Sequence, residues 1–125
     1  MTIREAINRV DNLKFNTYSD NDKVEWLSRL DNSVKNLIID THEGWESSSA
    51  FMGYGDTTDM DTVLLVPAPF DEIYLRWLEA QIDYHNGEFD KFNASIIMYN
   101  TAFDAYANFY NRIHMPRNRG SRFIF

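Results

Sequence analysis

The spacing of apolar residues along the chain predicts four helices. The clearest of them runs from about Glu88 to Ile113, where apolar positions lie alternately three and four residues apart without a break. These positions are Phe89, Phe92, Ile96, Tyr99, Phe103, Tyr106, Tyr110 and Ile113. Because this spacing aligns the side chains on one side of a helix, we expect the stripe to be buried against the rest of the fold.

A third helix, from about Phe70 to Asn86, is expected to be the buried centre of the fold, because apolar side chains cover most of its circumference. Gly87 follows it as a left-handed stop. The polar side chains fall on one narrow strip, which contains Glu72, Arg76, Glu79 and Asp83. Since a tight turn separates the third and fourth helices, we expect them to form a long antiparallel hairpin.

Two shorter helices are predicted before this hairpin. Thr2 and Glu5 have the spacing of a capping box, which predicts a first helix over residues 3–13. Ser19 is a start signal for a second helix, and the apolar spacing extends that helix to about residue 40.

The helical period is lost between Thr41 and Pro69. Within this stretch, Thr62–Val66 has the composition of one short strand. The prolines that follow favour the edge of a sheet, because they have no N–H to donate. Glycines, serines and acidic residues predict that residues 44–61 are mobile in the isolated chain and become ordered on assembly.

Together these elements predict a mainly α protein. We expect residues 1–115 to form a single helical domain, a four-helix bundle with a long central hairpin, one long loop and a short edge strand. Pro116 ends the last helix, because it lacks an N–H and crowds the preceding turn. Residues 116–125 are therefore expected to form an extended basic and aromatic C-terminal tail.

Charge is divided unevenly along the chain, whose net charge is −7. All nineteen acidic residues and eight of the twelve basic ones lie within residues 1–111, whereas residues 112–125 hold four arginines and no acid. An acidic body argues against a simple duplex-DNA binder, which would have a net basic footprint. Patches of opposite sign on one chain favour head-to-tail association of identical copies, a contact that can close into a ring.

The back of the fourth helix is polar but almost uncharged. Depletion of charge is typical of protein interfaces, and 15% of all residues are aromatic, more than a core of this size needs. We therefore predict a subunit interface at Asn93, Asn100, Asn108 and Asn111, together with Leu64 and Leu65 of the predicted strand. A merely solvated face is the alternative.

The tail combines arginines with aromatic residues, two residue types that binding hot spots favour. The residues expected to dock are Arg117, Arg119, Arg122, Phe123, Ile124 and Phe125. We expect them to bind a groove on a partner protein rather than DNA, because solubility alone does not require three consecutive apolar residues. A solvated tail is the alternative.

No residue pattern predicts a catalytic, metal or cofactor site. The chain has no cysteine, which excludes thiol catalysis and thiolate zinc sites. His42, His85 and His114 lie in different elements and lack the spacing of metal ligands. We therefore expect a non-enzymatic protein without a cofactor. No apolar run has the length that a bilayer requires, so we expect a soluble protein made inside the cell.

Three stretches of the sequence resemble small proteins of tailed bacteriophages from Gram-positive hosts. The stretches are Tyr18–Leu27 (YSDNDKVEWL), Thr62–Tyr74 (TVLLVPAPFDEIY) and Asn111–Pro116 (NRIHMP). The proteins that they resemble are head–tail connectors, also called adaptor or head-completion proteins. The similarity extends over nearly the whole chain and is a likeness of pattern rather than of a catalytic motif.

This resemblance implies a mostly helical structural protein of the virion, made in the host cytoplasm. Such proteins assemble as a homo-oligomeric ring, usually of twelve copies, beneath the portal protein, and they connect the capsid to the tail through a tail-completion protein. DNA passes through the ring without sequence-specific binding, and no membrane is involved. Because adaptors commonly insert a C-terminal segment into the portal, the resemblance implies that Pro116–Phe125 docks there.

A second class of function is compatible with the same excess of aromatic residues. It is a small helical protein-binding module, of a host-takeover or antitoxin-like kind, without enzymatic activity. The neighbouring genes distinguish the two classes, because a portal gene upstream and tail-completion genes downstream are expected for the adaptor. An enzyme is the third class, and no particular residue pair supports it.

Overall fold

The computed structural model describes residues 1–39 and 53–113 of the chain. These residues form four α-helices, which are α1 (Ile3–Leu13), α2 (Asp20–Val34), α3 (Glu72–His85) and α4 (Phe89–Ile113). A π-helical turn, Lys35–Ile39, continues the chain from the end of α2. The protein is therefore mainly α, as the spacing of its apolar residues predicts.

Local sequence signals set the start of the first two helices. The N–H of Glu5 donates to the Thr2 hydroxyl (3.2 Å), and the N–H of Thr2 donates to the Glu5 carboxylate (2.9 Å), so the predicted capping box is formed. At the start of α2, the Ser19 hydroxyl accepts a hydrogen bond from the N–H of Asp22 (3.2 Å). These contacts satisfy N–H groups that have no partner inside their helices.

α3 lies at the centre of the fold. The indole N–H of Trp77 in α3 donates a hydrogen bond to the backbone carbonyl of Trp26 in α2 (2.7 Å), which connects these two helices. The large apolar side chains of α3 that are fully buried are Ile73, Tyr74, Leu78 and Ile82. They join buried side chains of α1 and α2 in one core, as expected for a helix that is apolar on most sides.

α1 runs in the same direction as α3. The amino group of Met1, just before α1, lies 3.7 Å from the Asp71 carboxylate, just before α3. The ammonium group of Lys14, just after α1, lies 2.7 Å from the Asp83 carboxylate, near the end of α3. The two helices are thus joined by an ion pair at each end.

α4 packs along α3 in the opposite direction. Phe70, which precedes α3, contacts Phe109 near the end of α4, with 4.7 Å between ring centroids. Trp77 in the middle of α3 contacts Tyr99 in the middle of α4, with 4.9 Å between centroids. Gly87 makes the turn between the helices with a φ of +75°, a conformation that favours glycine.

The apolar stripe of α4 is less buried than its spacing predicts. Within this helix, Tyr106 and Tyr110 are the buried residues, whereas Phe89 and Ile113 are 59% and 55% exposed. At the C-terminal end the cause is length, because α4 has 25 residues and α3 has 14, which correspond to about 37 Å and about 21 Å. Since the turn at Gly87 holds the start of α4 beside the end of α3, the excess length lies at the other end, where Ile113 extends beyond α3.

The predicted strand Thr62–Val66 does not form. A single antiparallel bridge joins Val63 to the residue before α1. The N–H of Leu64 donates to the Met1 carbonyl (2.9 Å), but the two amides that follow donate to side chains, Leu65 to a carboxylate and Val66 to a hydroxyl. Pro67 then has no N–H to offer, so the segment has no continuous row of donors for a ladder.

Asp83, which the helical pattern places on the polar strip of α3 with Glu72, Arg76 and Glu79, is buried. Its side chain is fully buried, and it accepts hydrogen bonds from the Lys14 ammonium group (2.7 Å) and the Ser95 hydroxyl (2.6 Å). Lys14 lies 69 residues earlier in the chain, so the pattern of α3 alone gives no sign of this partner.

Candidate protein-interaction surface

The outer face of α4 is exposed and nearly uncharged. All four asparagines of the predicted interface are exposed there, namely Asn93, Asn100, Asn108 and Asn111. Two apolar side chains on the same side are also open to solvent, Ile97 at 64% and Met98 at 49%. Between Lys91 and Arg112 the helix carries one charged residue, Asp104. We refer to this surface as the α4 outer face.

A groove borders the α4 outer face where α4 meets the first half of α3. Its cavity has a volume of about 330 Å³. The residues that line it are Glu72 and Arg76 of α3 and Ile97, Met98, Thr101, Ala102 and Ala105 of α4. A second hollow of about 170 Å³ adjoins it and is bounded by Pro69, Phe70 and Ile73 in addition to three residues of the first. We refer to the two hollows together as the α3–α4 groove.

Small side chains make this groove possible. Thr101, Ala102 and Ala105 face the space between the helices, where larger residues would fill it. The Thr101 hydroxyl donates to the Ile97 carbonyl within the same helix (3.0 Å), so this hydroxyl is already satisfied. The floor of the groove is therefore apolar, a property of ligand and peptide sites.

The lining of the groove holds one acid and one base, Glu72 and Arg76, and two further acids, Glu79 and Asp104, stand beside it. Arg76 is the basic residue of its lining, and its guanidinium group lies 3.5 Å from Glu72 and 3.3 Å from Glu79. Its charge is therefore matched within α3. Glu72 remains 63% exposed, and Asp104 is exposed on α4 one residue from Ala105. The rim accordingly favours a basic ligand.

Leu64 and Leu65, the other members of the predicted interface, lie apart from the α4 outer face. Leu64 is 3% exposed and belongs to the core. Leu65 is half-buried and packs against that core. Leu64 is thus not on the surface of the chain, because alternation along the segment turns it inward while Val63, at 68%, faces outward.

The predicted docking residues of the tail lie outside the residues that the structure describes. They are Arg117, Arg119, Arg122, Phe123, Ile124 and Phe125. The division between a domain of residues 1–115 and a tail of residues 116–125 lies outside them too, as does the first half of the loop over residues 44–61, namely residues 44–52.

The buried carboxylate of Asp31, which no sequence motif marks as a site, holds residues 53–61, the part of this loop that the structure describes. Asp31 in α2 is fully buried, and it accepts hydrogen bonds from the hydroxyls of Tyr54 (2.5 Å) and Tyr74 (2.6 Å) and from the N–H of Leu65 (3.2 Å). Burial raises the pKa of Asp31, although all three donors act to lower it. Burial and the adjacent carboxylate likewise raise the pKa of both tyrosines.

One signal in the sequence could have revealed this network. Asp31 stands between Leu27 and Val34 in a row of positions that are alternately three and four residues apart. All the remaining positions of this row are apolar. A lone acid on an apolar stripe must find buried donors. The network therefore has a structural role, since it fixes residues 54–66 to α2 and α3.

The described residues include no group of three or more His, Cys, Asp or Glu side chains that could hold a metal ion. His85 is engaged locally, with its Nδ1 2.8 Å from the Gln81 carbonyl and its ring 5.0 Å from that of Trp26. In the same part of the chain, none of the helices has the length and apolar character needed to span a membrane.

Comparisons with protein-family models, with curated proteins and with solved structures found no match for this chain. The candidate functional features are the α4 outer face and the α3–α4 groove. An exposed face with few charges, next to an apolar groove with an acidic rim, is suited to binding protein.

Proposed function

We propose that this protein is a structural virion protein, the head–tail adaptor of a tailed bacteriophage. In this role it assembles as a ring of identical copies beneath the portal and links the capsid to the tail. The observation that supports the proposal most strongly is the exposure of α4, a 25-residue helix in which two residues are buried.

The exposure of α4 favours an assembly role over that of an isolated domain. Ile97 and Met98 lie next to asparagines, so covering them would desolvate amides, which can hydrogen-bond across a contact, and few charges. Full burial of such an apolar side chain contributes about 1.5–3 kcal/mol. A face that gains from apolar burial and carries few charges is suited to contact between neighbouring copies.

The sequence resemblance supplies the rest of the proposal. The ring has twelve copies, and its partners are the portal protein on one side and the tail-completion protein on the other. Residues Pro116–Phe125 dock onto the portal through their arginines and aromatic rings. DNA passes through the ring without sequence-specific contacts, and the protein belongs to the virion after synthesis in the host cytoplasm.

The α4 outer face also favours a second candidate, a small helical module that binds one protein partner without catalysis. The two candidates differ in stoichiometry. An adaptor binds the portal in many copies that contact one another, whereas a module of the host-takeover or antitoxin-like kind binds a single partner.

Sedimentation of the chain with the portal protein encoded in the same genome separates these candidates. We expect the parent chain to sediment with portal rings in a ratio near one to one. Ile97→Asp should abolish this, because it places a charge on the α4 outer face. Leu13→Asp is a matched control, since Leu13 in α1 is 62% exposed against 64% for Ile97. Equal loss in both variants, or no co-sedimentation of the parent, would contradict the proposal.

A further inference from the structure

We propose that the α3–α4 groove is the docking site for residues Arg122–Phe125 of the same chain. The groove and this segment would then cover each other while the chain is free. The inference goes beyond the proposed function, because it concerns a contact within one copy, and it does not depend on a portal partner.

The form of the groove matches the spacing of the aromatic residues. The groove consists of two adjoining hollows that share Glu72, Ala102 and Ala105. In an extended segment, side chains two residues apart point to the same side and lie about 7 Å apart. Phe123 and Phe125 have this spacing, so one ring can enter each hollow.

The charges of the groove and of the segment are complementary. Glu72 at the rim is 63% exposed, Asp104 is exposed nearby, and the charge of Arg76 is already matched within α3. Arg122 directly precedes the aromatic residues, and residues 112–125 contain no acid. Arginine next to an aromatic anchor can therefore meet a carboxylate at the edge of an apolar floor.

The connection is long enough for the same chain to fill its own groove. Ala105 lies eight residues before Ile113 in α4, a distance of about 12 Å along the helix. Ten residues lead from Ile113 to Phe123, and they can span at most about 35 Å. A short tether of this kind gives an effective concentration of roughly millimolar. In dilute solution the groove should therefore be filled from within the chain rather than by a second copy.

Disulfide trapping tests this contact directly, because the chain has no cysteine of its own. One variant carries Ser121→Cys with Ala105→Cys, which places a thiol in the groove. The control carries Ser121→Cys with Asn108→Cys, an exposed position outside the groove lining that is closer in sequence to the tail. Proximity along the chain alone would favour the control.

We expect the Ala105 pair to form a disulfide within one chain about tenfold faster than the control pair. Adding Phe123→Ser and Phe125→Ser should reduce its rate to that of the control. Equal rates for the two pairs would overturn the proposal. Disulfide-linked dimers would also overturn it, because they would show that a second copy fills the groove.

A second measurement avoids cysteine substitutions. Phe123→Ser with Phe125→Ser, in the otherwise unchanged chain, should shift the amide resonances of Ile97, Met98 and Ala102 and leave those of α1 in place. Unchanged resonances at all three residues would overturn the proposal. Neither result depends on the portal, so failure of portal binding would count against the adaptor role alone.

Discussion

The hydroxyl of Tyr74 in α3 donates a 2.6 Å hydrogen bond to the buried carboxylate of Asp31 in α2. The same hydroxyl accepts a 2.7 Å hydrogen bond from the N–H of Val66. One oxygen atom thus joins two helices and the segment that leads into α3. Because every group involved is buried or half-buried, none of them can exchange its partner for water without opening the core.

Tyr74→Phe should destabilise the protein by about 1–3 kcal/mol, because it leaves the Val66 N–H and one Asp31 oxygen without this partner. Urea unfolding measures the loss. Tyr99→Phe is the control, since the Tyr99 hydroxyl makes no hydrogen bond within the described part of the chain, and its midpoint should stay close to that of the parent. Equal changes in both variants would contradict a specific role for the Tyr74 hydroxyl.

The raised pKa of Asp31 predicts a pH dependence of stability. The folded chain holds the proton of this carboxyl more tightly than the unfolded chain, in which the pKa is near the ordinary value of 3.8. The contribution to stability is therefore fully present below that value, and it is lost as the pH rises through the pKa of the folded state. The free energy of unfolding of the parent, minus that of Asp31→Asn, should fall from about pH 3 to about pH 7. A difference that rises over this range would show that the pKa is lowered instead.

The ion pair between Lys14 and Asp83 should matter far more than ion pairs on the surface. Lys14→Met removes the partner of a fully buried carboxylate and should cost about 1–3 kcal/mol, measured by urea unfolding. Lys91→Met, which removes an exposed partner of Glu88, should leave the unfolding midpoint unchanged. If both substitutions had the same small effect, Asp83 would not depend on this partner.

Much of the helical architecture could be predicted because its signals are local. Thr2 and Glu5 are three residues apart, and the capping box that they form starts α1 where the sequence predicts. Gly87 follows α3 directly and takes the positive φ that its position requires. Such local signals predict where a helix starts or ends even when the neighbours of that helix in the fold are unknown.

The features that could not be predicted depend on contacts between distant parts of the chain. Asp83 is 69 residues from Lys14, and Asp31 is 43 residues from Tyr74, so the local pattern does not show which partner either carboxylate has, although the apolar row around Asp31 indicates that it is buried. The strand predicted over Thr62–Val66 fails for the same reason, since two of its amides donate to Asp31 and Tyr74. The α3–α4 groove likewise depends on which face of α4 meets α3.

Phe103 tests how much of the α4 stripe serves the core. Full burial would predict a loss of about 3–5 kcal/mol for Phe103→Ala. Phe103 is half-buried in the structure, so we expect a smaller loss of about 1–3 kcal/mol, measured by chemical unfolding. A loss below about 0.5 kcal/mol would assign this position to a partner surface rather than to the core.

Electron microscopy of the chain bound to the portal protein of the same genome tests the adaptor role most directly. We expect a closed ring of twelve identical copies on one end of the portal. We also expect that neighbouring copies contact each other through the α4 outer face, and that Ile97→Asp removes the ring without unfolding the chain. Portal rings that remain bare at saturating concentrations of the folded chain would contradict the adaptor role.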